Sequence, residues 1–333
     1  MNRISKRFIV FPFLLVSVIP SQLSAATPVK KVRAAFTAFA YANPPFWIAK
    51  DLRLFEKYGL DVELVYVAGA RNIQALLGGS IDVSQAGGAS VVSAAAQGAE
   101  VVILGTVFKR LIFGVHAAPQ IKEVGDLKGK NIGAGTVGGN SYFAGQLFLS
   151  KAGLVPNKDV TFRALGGTPE VLSALQHGQV QAGVLSPPST TIAARMGFRQ
   201  IFDIANLDLP FPTVSVASTR RFAQENPETI LNVLRATAEA IYVYKTQPEL
   251  TLPVVAKYMR VPKDDPALRE SYESYGKQLD QNLRSSPEGI KFILDFLADQ
   301  RLTVKTKNPA DFVDFRFVGK LEEEGFFKRL ATK

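Results

Sequence analysis

Small polar residues and glycines recur where the chain leaves a β-rich run and enters a helical one. Gly88 and Ser90 open one such helix, and Thr136, Asn140 and Ser141 lie at the start of another. A helix N-terminus leaves backbone N–H groups without partners and carries partial positive charge, so it favours anions. Several such helix starts predict noncovalent binding of a small, polar or anionic molecule.

The candidate binding residues come from six loops. The competing interpretation of the Ser, Thr and Asn residues is ordinary helix capping. For the aromatic candidates it is packing in the core. We predict the following ligand-binding residues: Phe39, Tyr41, Asn43, Gly88, Ser90, Thr136, Asn140, Ser141, Gly167, Ser186 and Thr213.

The sequence offers little for catalysis. It contains no cysteine and only two histidines, His116 and His177. This composition excludes disulfides, thiolate metal sites and cysteine nucleophiles. The segment 133–138, GAGTVG, fits the dinucleotide fingerprint G-x-G-x-x-G, but its glycines lie within the predicted strand instead of after it. We therefore predict no catalytic residue, no metal and no cofactor.

Alternating strands and helices position these loops. Predicted strands alternate with predicted helices, as in βαβ units that form a largely parallel sheet. The pattern restarts about 99 residues later, with 31–37 over 130–136, Ile81 over Val180 and Gly98 over Gly197. We predict strands at 32–37, 61–67, 81–85 and 100–107, and helices at 44–58, 72–77 and 89–97.

This repeat predicts an α/β fold of two similar lobes. Ligands of open α/β sheets lie beyond the carboxyl ends of the strands, so two facing lobes form a ligand cleft. We assign 27–112 and 217–333 to the first lobe and 113–216 to the second. Segments 225–245, 266–283 and 287–299 show helical periodicity and form a C-terminal extension expected to cover one lobe. We expect the hinges at 113–117 and 211–216.

The N-terminal 26 residues have the pattern of a cleaved export signal. Arg3, Lys6 and Arg7 precede the apolar run 8–19, and small residues follow at 24–26. An uncleaved anchor is the alternative. The remainder carries 36 basic and 29 acidic residues without a basic cluster, so we predict no nucleic-acid partner.

Three segments resemble a known family. They are 45–63 (PFWIAKDLRLFEKYGLDVE), 75–83 (ALLGGSIDV) and 126–133 (DLKGKNIG). Together they resemble the sulfonate/nitrate/taurine/thiamine-precursor group of substrate-binding proteins of ABC transporters, over about residues 30–217. The sequence departs from the family at Arg53, where glycine is usual, and at Gln181, where aspartate is usual.

The resemblance implies a type II periplasmic binding protein fold. It implies an exported, periplasmic receptor that captures a small anionic or heteroaromatic molecule and delivers it to an ABC permease in the inner membrane. We expect a monomer. Two alternatives use the same fold: a pyrimidine-precursor enzyme of the thiamine pathway, and a periplasmic ligand sensor. The fungal pyrimidine-precursor synthases of this fold depend on a Cys/His-rich iron motif, which this sequence, with no cysteine and two histidines, lacks.

Overall fold

The computed structural model describes residues 29–276, 278–299 and 308–332. The predicted export signal lies outside these residues. Within them, no helix is both long and apolar enough to span a membrane.

The first lobe is built on a five-stranded mixed sheet in the order β2-β1-β3-β10-β4. β1 pairs in parallel with β2 and β3, whereas β10 is antiparallel to β3 and β4. Its elements are β1 (Lys30–Phe36), α1 (Pro44–Asp51), α2 (Leu54–Lys57), β2 (Leu60–Tyr66), α3 (Arg71–Leu77), β3 (Val83–Ala86), α4 (Gly88–Ala96), β4 (Val101–Arg110) and β10 (Pro210–Thr219).

The second lobe repeats this topology with shorter strands. Its sheet has the order β7-β6-β8-β5-β9, with β6 parallel to β7 and β8 and with β5 antiparallel to β8 and β9. The predicted repeat is therefore confirmed. The elements are β5 (Gly114–Ala117), β6 (Asn131–Ala134), α5 (Asn140–Lys151), β7 (Thr161–Ala164), α6 (Thr168–Gln176), β8 (Ala182–Leu185), α7 (Ser189–Arg195) and β9 (Arg199–Asp203).

The chain crosses between the lobes twice, through residues 111–113 and 204–209. The predicted boundary at 112/113 falls in the first crossing. The boundary at 216/217 is wrong, because β10 already pairs with the first sheet there. The predicted hinge at 211–216 is part of the same strand. Pro210 and Pro212 suggested a loop, but they lie where the pairing register with β4 is irregular, a position that tolerates proline in a sheet.

Seven helices follow β10 in the described residues. The predicted helix at 287–299 matches the structure, whereas the one predicted to end at 283 ends at Gly276. These helices do not cover the first lobe alone, because Phe296 lies 4.6 Å from Phe143 of the second lobe, centroid to centroid. The helices are α8 (Arg220–Glu225), α9 (Pro227–Thr246), α10 (Pro248–Met259), α11 (Pro266–Gly276), α12 (Pro287–Asp299), α13 (Phe315–Glu323) and α14 (Phe326–Ala331).

The core of the first lobe is aromatic where α1 meets the C-terminal helices. Trp47 is fully buried, and its ring stacks on Tyr258 at 5.0 Å between centroids. Phe36 of β1 meets Trp47 edge to face at 5.5 Å. Burial of such large rings contributes strongly to stability, and here it fixes α1 between β1 and the C-terminal helices.

Candidate functional site

A cavity of about 670 Å³, counted with the part open to solvent, lies between the two lobes. Its wall includes Thr37 after β1, Gly87 after β3, Gly135 after β6 and Ser186 after β8. The carboxyl ends of the strands thus face the cavity, as predicted for this topology. Eight of the predicted residues line it: Asn43, Ser90, Thr136, Asn140, Ser141, Gly167, Ser186 and Thr213.

The structure places Phe39, Tyr41 and Gly88 outside the cavity wall. Phe39 packs on Tyr66, with centroids 4.6 Å apart, while its neighbours Ala38 and Ala40 line the cavity. Tyr41 is only 2% exposed and packs beside Ser271, and burial raises the pKa of its hydroxyl.

Gly88 is a packing position. A Cβ there would overlap the carbonyl oxygen of Pro212 in β10. Glycine therefore lets the start of α4 lie against that strand, and the residue that lines the cavity is the preceding Gly87.

Three helices begin at the cavity, and each follows a glycine. The N-cap residues of α4, α5 and α6 are Gly87, Gly139 and Gly167, which line the wall. The N-cap interpretation of Ser90, Asn140 and Ser141 is therefore wrong, since all three lie inside helices. Glycine has no side chain to cap the helix, so first-turn N–H groups depend on acceptors from elsewhere, as Ala89 N of α4 does on Asn140 Oδ1.

The described wall combines polar and apolar groups and carries no formal charge. Of the described residues that line the cavity, none is Asp, Glu, Lys, Arg or His. Hydroxyl-bearing Ser90, Thr168 and Ser186 alternate with apolar Ile112 and Val214. The positive features of the wall are therefore the helix N-termini, whose aligned peptide dipoles attract anions.

Two lining residues also organise the loops around the cavity. The Ser141 hydroxyl accepts a hydrogen bond from Gly135 N at 3.2 Å and donates to Val184 O at 3.1 Å, which ties the ends of β6 and β8 together. In the first lobe, Asn43 Nδ2 donates to Ala38 O at 2.9 Å.

Gln85 completes the first-lobe loop and was missed from the sequence. It is fully buried at the end of β3. Its amide donates to Asn43 O at 3.0 Å and accepts from Phe46 N at 3.1 Å. A large amide side chain within a short, fully buried strand was the available signal, because buried amides require partners.

Hydrogen bonds cross the cavity between the lobes. Thr136 Oγ1 accepts from Ala70 N at 2.9 Å, and Asn140 Oδ1 accepts from Ala89 N at 3.2 Å. Asn140 Nδ2 donates to Thr213 O at 2.6 Å. Both side chains belong to the second lobe, and all three partners are backbone groups of the first.

The two histidines lie away from the cavity. His116 is buried in β5, and burial lowers the pKa of its imidazole. His177 follows α6, where its Nδ1 lies 2.8 Å from Ser173 O. Among the described residues, no cluster of three His, Cys, Asp or Glu could hold a metal ion.

The sequence and fold are similar to those of known proteins. The family model described as NMT1/THI5 like matches residues 43–250. A Brucella abortus (strain 2308) protein described as a binding protein is 29% identical over 85% of this chain and 89% of its own. An Escherichia coli K12 protein described as an aliphatic sulfonates-binding protein is 29% identical over 65% of this chain and 68% of its own.

A solved structure has the same fold. The alkanesulfonate-binding protein SsuA of Xanthomonas axonopodis pv. citri, bound to MOPS, superposes with a TM-score of 0.71. It is 23% identical, and the match covers 87% of this chain and 99% of that protein.

Proposed function

The chain belongs to the NMT1/THI5-like family, and from this premise we propose that it is the solute receptor of an ABC importer that captures one small organic anion between its lobes. The observation that carries the proposal is the uncharged wall, on which three glycine-capped helices from both lobes begin. Its similarity to proteins described as binding proteins, one of them for aliphatic sulfonates, supports the same conclusion.

The wall suits a ligand with an anionic head and an apolar body. Helix N–H groups and the hydroxyls of Ser90, Thr168 and Ser186 offer hydrogen-bond donors to a head such as a sulfonate or carboxylate. Ile112, Phe113 and Val214 offer apolar surface to the body. A heteroaromatic ring with a polar edge would use the same two surfaces.

Location and partners follow from this role. We propose that the chain is exported to the periplasm, acts as a monomer and delivers its ligand to an inner-membrane ABC permease. The pattern of residues 1–26 supports export, and the similarity to proteins described as binding proteins supports the receptor role.

We propose binding without catalysis. The chain has no cysteine, and neither of its two histidines lines the cavity. A general acid or base must reach the ligand within hydrogen-bond distance, and the described wall offers only neutral hydroxyl and amide groups. Ligand recovered unchanged after prolonged incubation, as followed by NMR, is the expected result, whereas a new product would contradict this part.

A ligand screen tests the receptor role. The melting temperature should rise with an alkanesulfonate or an aromatic carboxylate, and should rise much less with the neutral sulfonamide or amide of the same skeleton. Nitrate and pyrimidines complete the panel. A ligand at 100 times its Kd should stabilise the protein by about 2.7 kcal/mol. Stabilisation by nucleotides alone would contradict the proposal, and equal stabilisation by the neutral analogues would exclude an anionic head.

Ser90 provides a test at the wall. Ser90→Ala removes one hydroxyl from the start of α4, so we expect about tenfold weaker binding of the best sulfonate or carboxylate, equivalent to about 1.4 kcal/mol. Calorimetry measures the Kd. Ser150→Ala on the exposed side of α5 is the control and should bind normally. Unchanged affinity in Ser90→Ala would remove this hydroxyl from the ligand contacts.

A further inference from the structure

We infer that Thr136 and Asn140 form a clasp that holds the lobes together and sets the equilibrium between open and closed receptor. The clasp consists of these two side chains of the second lobe and three backbone groups of the first, Ala70 N–H, Ala89 N–H and Thr213 C=O. The consequence for ligand affinity rests on the proposed function, but the closure itself can be measured without any ligand.

The geometry of Asn140 carries the inference. Both ends of its amide are used across the gap, since Oδ1 accepts from Ala89 N at 3.2 Å and Nδ2 donates to Thr213 O at 2.6 Å. If Asn140 served only the ligand, one end of its amide would face the cavity without a protein partner. Because its partners belong to α4 and β10, Asn140 bonds the start of α5 to two separate elements of the first lobe.

Thr136 makes the second point of the clasp. Its Oγ1 accepts from Ala70 N at 2.9 Å, and Ala70 is the N-cap residue of α3. Neither Ala70 nor Gly87, the N-cap of α4, supplies a side-chain cap. The second lobe therefore provides acceptors for first-turn N–H groups that the first lobe leaves without a side-chain cap.

Glycine makes room at both points. A Cβ at Gly69, beside Ala70, would overlap Thr136 Oγ1, and a Cβ at Gly87 would lie 2.8 Å from Asn140 Oδ1. Gly69 also has a φ of +53°, a backbone conformation that side chains disfavour. The first lobe thus has a residue without a side chain at each place where a polar side chain of the second lobe arrives.

Closure then depends on these bonds in addition to the ligand. Opening the cleft exchanges each of them for a bond to water, so each favours the closed form by a modest amount. Loss of the two Asn140 bonds should lower the closed-to-open ratio about 5- to 30-fold. A ligand that binds the closed form then binds more weakly in proportion to the lost closed population.

The test measures lobe separation in the protein without ligand. Because the chain has no cysteine, Leu77→Cys in the first lobe and Val155→Cys in the second give two specific sites for spin labels. Both positions are 48% exposed. Double electron–electron resonance reports the distance distribution, and small-angle scattering of the unlabelled protein reports the radius of gyration independently.

Four variants separate the clasp from other roles. Asn140→Ala and Thr136→Val remove the bonds and should each populate a longer distance and a larger radius. Thr136→Ser keeps the acceptor and should behave as wild type. Gly87→Ala should displace Asn140 and open the cleft although Asn140 itself is intact. Ser150→Ala, on the exposed side of α5, is the matched control, and circular dichroism verifies that each variant is folded.

Three results would overturn the clasp. The first is an Asn140→Ala, Thr136→Val double variant with the distance distribution of Ser150→Ala. The second is a wild-type distribution that already lies at the open distance. The third is weaker binding of the best sulfonate or carboxylate in Asn140→Ala with no change in lobe separation, which would make Asn140 a ligand contact only. None of these results contradicts the receptor function, which the ligand screen decides separately.

Discussion

The two lobes end their first main helix in the same backbone conformation but with different residues. In the second lobe, α5 is followed by Ala152 and then by Gly153, whose φ is +66°. In the first lobe, α1 is followed by Leu52 and then by Arg53, whose φ is +57°. Glycine adopts this left-handed conformation without cost, whereas a residue with a Cβ does not. Arg53 is also the position where the family resemblance implies glycine.

At a second pair of equivalent positions, two different residue types serve the same purpose. Just before β3 of the first sheet, Asp82 Oδ2 accepts a hydrogen bond from Arg33 N of β1 at 2.8 Å. In the second sheet, Gln181 Oε1 accepts from Asn131 N at 3.1 Å. Gln181, where the family resemblance implies aspartate, thus supplies the required acceptor. The comparison indicates that a backbone N–H can donate to either type of acceptor atom, whereas a left-handed turn favours a residue without a Cβ.

The largest expected change in stability concerns Asp82, where two variants distinguish the role of its acceptor oxygen from that of its charge. Asp82→Ala leaves Arg33 N without its partner, so we expect a loss of about 1–3 kcal/mol in the free energy of unfolding. Asp82→Asn keeps an acceptor and should lose less than Asp82→Ala, because the ion pair with Arg33 is partly exposed and contributes little. Denaturant unfolding measures both. Equal losses in the two variants would show that the charge matters more than the acceptor.

Gly153 tests the turn of the second lobe. Gly153→Ala should lower the free energy of unfolding by about 1–2 kcal/mol, since a Cβ is disfavoured at this φ. An added Cβ meets nothing within 4 Å, so the loss reports backbone strain alone. Gly319→Ala, whose added Cβ also meets nothing within 4 Å but which lies inside α13, is the control and should stabilise or be neutral.

Arg53 tests the same turn in the first lobe with the opposite sign. Arg53→Gly removes the strain, and after the entropy cost of glycine in the unfolded chain we expect a gain of about 0.5–1 kcal/mol. The exposed ion pair with Glu56 contributes little. Glu56→Gln removes only that pair and should leave stability nearly unchanged. A loss of stability in Arg53→Gly would contradict the equivalence of the two turns.

The smallest expected change in stability at neutral pH concerns His116. The equivalent position in the first sheet is the apolar Ala217. Burial lowers the pKa of His116 below its ordinary value of 6.5, and Asp203 opposes this in part. Below pH 6.5 the unfolded chain binds a proton that the folded protein resists, so stability falls as the pH drops through 6.5 toward the lowered pKa. The free energy of unfolding at pH 7.5 and 5.5 should differ less in His116→Gln than in wild type. The same pH dependence of the free energy of unfolding in both proteins would contradict the role of His116.

The architecture was largely predictable from the sequence, because local patterns carry it. Alternating strands and helices, the repeat after about 99 residues and helix starts such as Pro287 are visible without a structure. The export signal remains a prediction, and so do the contacts of the predicted binding residues with a ligand. The return crossing was misplaced because a proline-rich strand resembles a loop until its partners are known.

The candidate site was only partly predictable. Loops at the carboxyl ends of strands indicated eight of the lining residues. Residue type did not reveal which side of a loop faces the cavity. Tyr41 turned into the first lobe, and Gly88 served packing against Pro212. Gln85 was missed because its role depends on Asn43 and Phe46, two residues about 40 positions earlier in the chain.

Taken by itself, the sequence determined the two repeated α/β units, their glycine-rich helix starts and the absence of cysteine chemistry, since each depends on neighbouring residues or on composition. Only the tertiary structure decided which polar groups meet. The bonds of Asn140 to Ala89 and Thr213 join positions 51 and 73 residues apart, and they form because two separate sheets bring the carboxyl ends of their strands to one cavity.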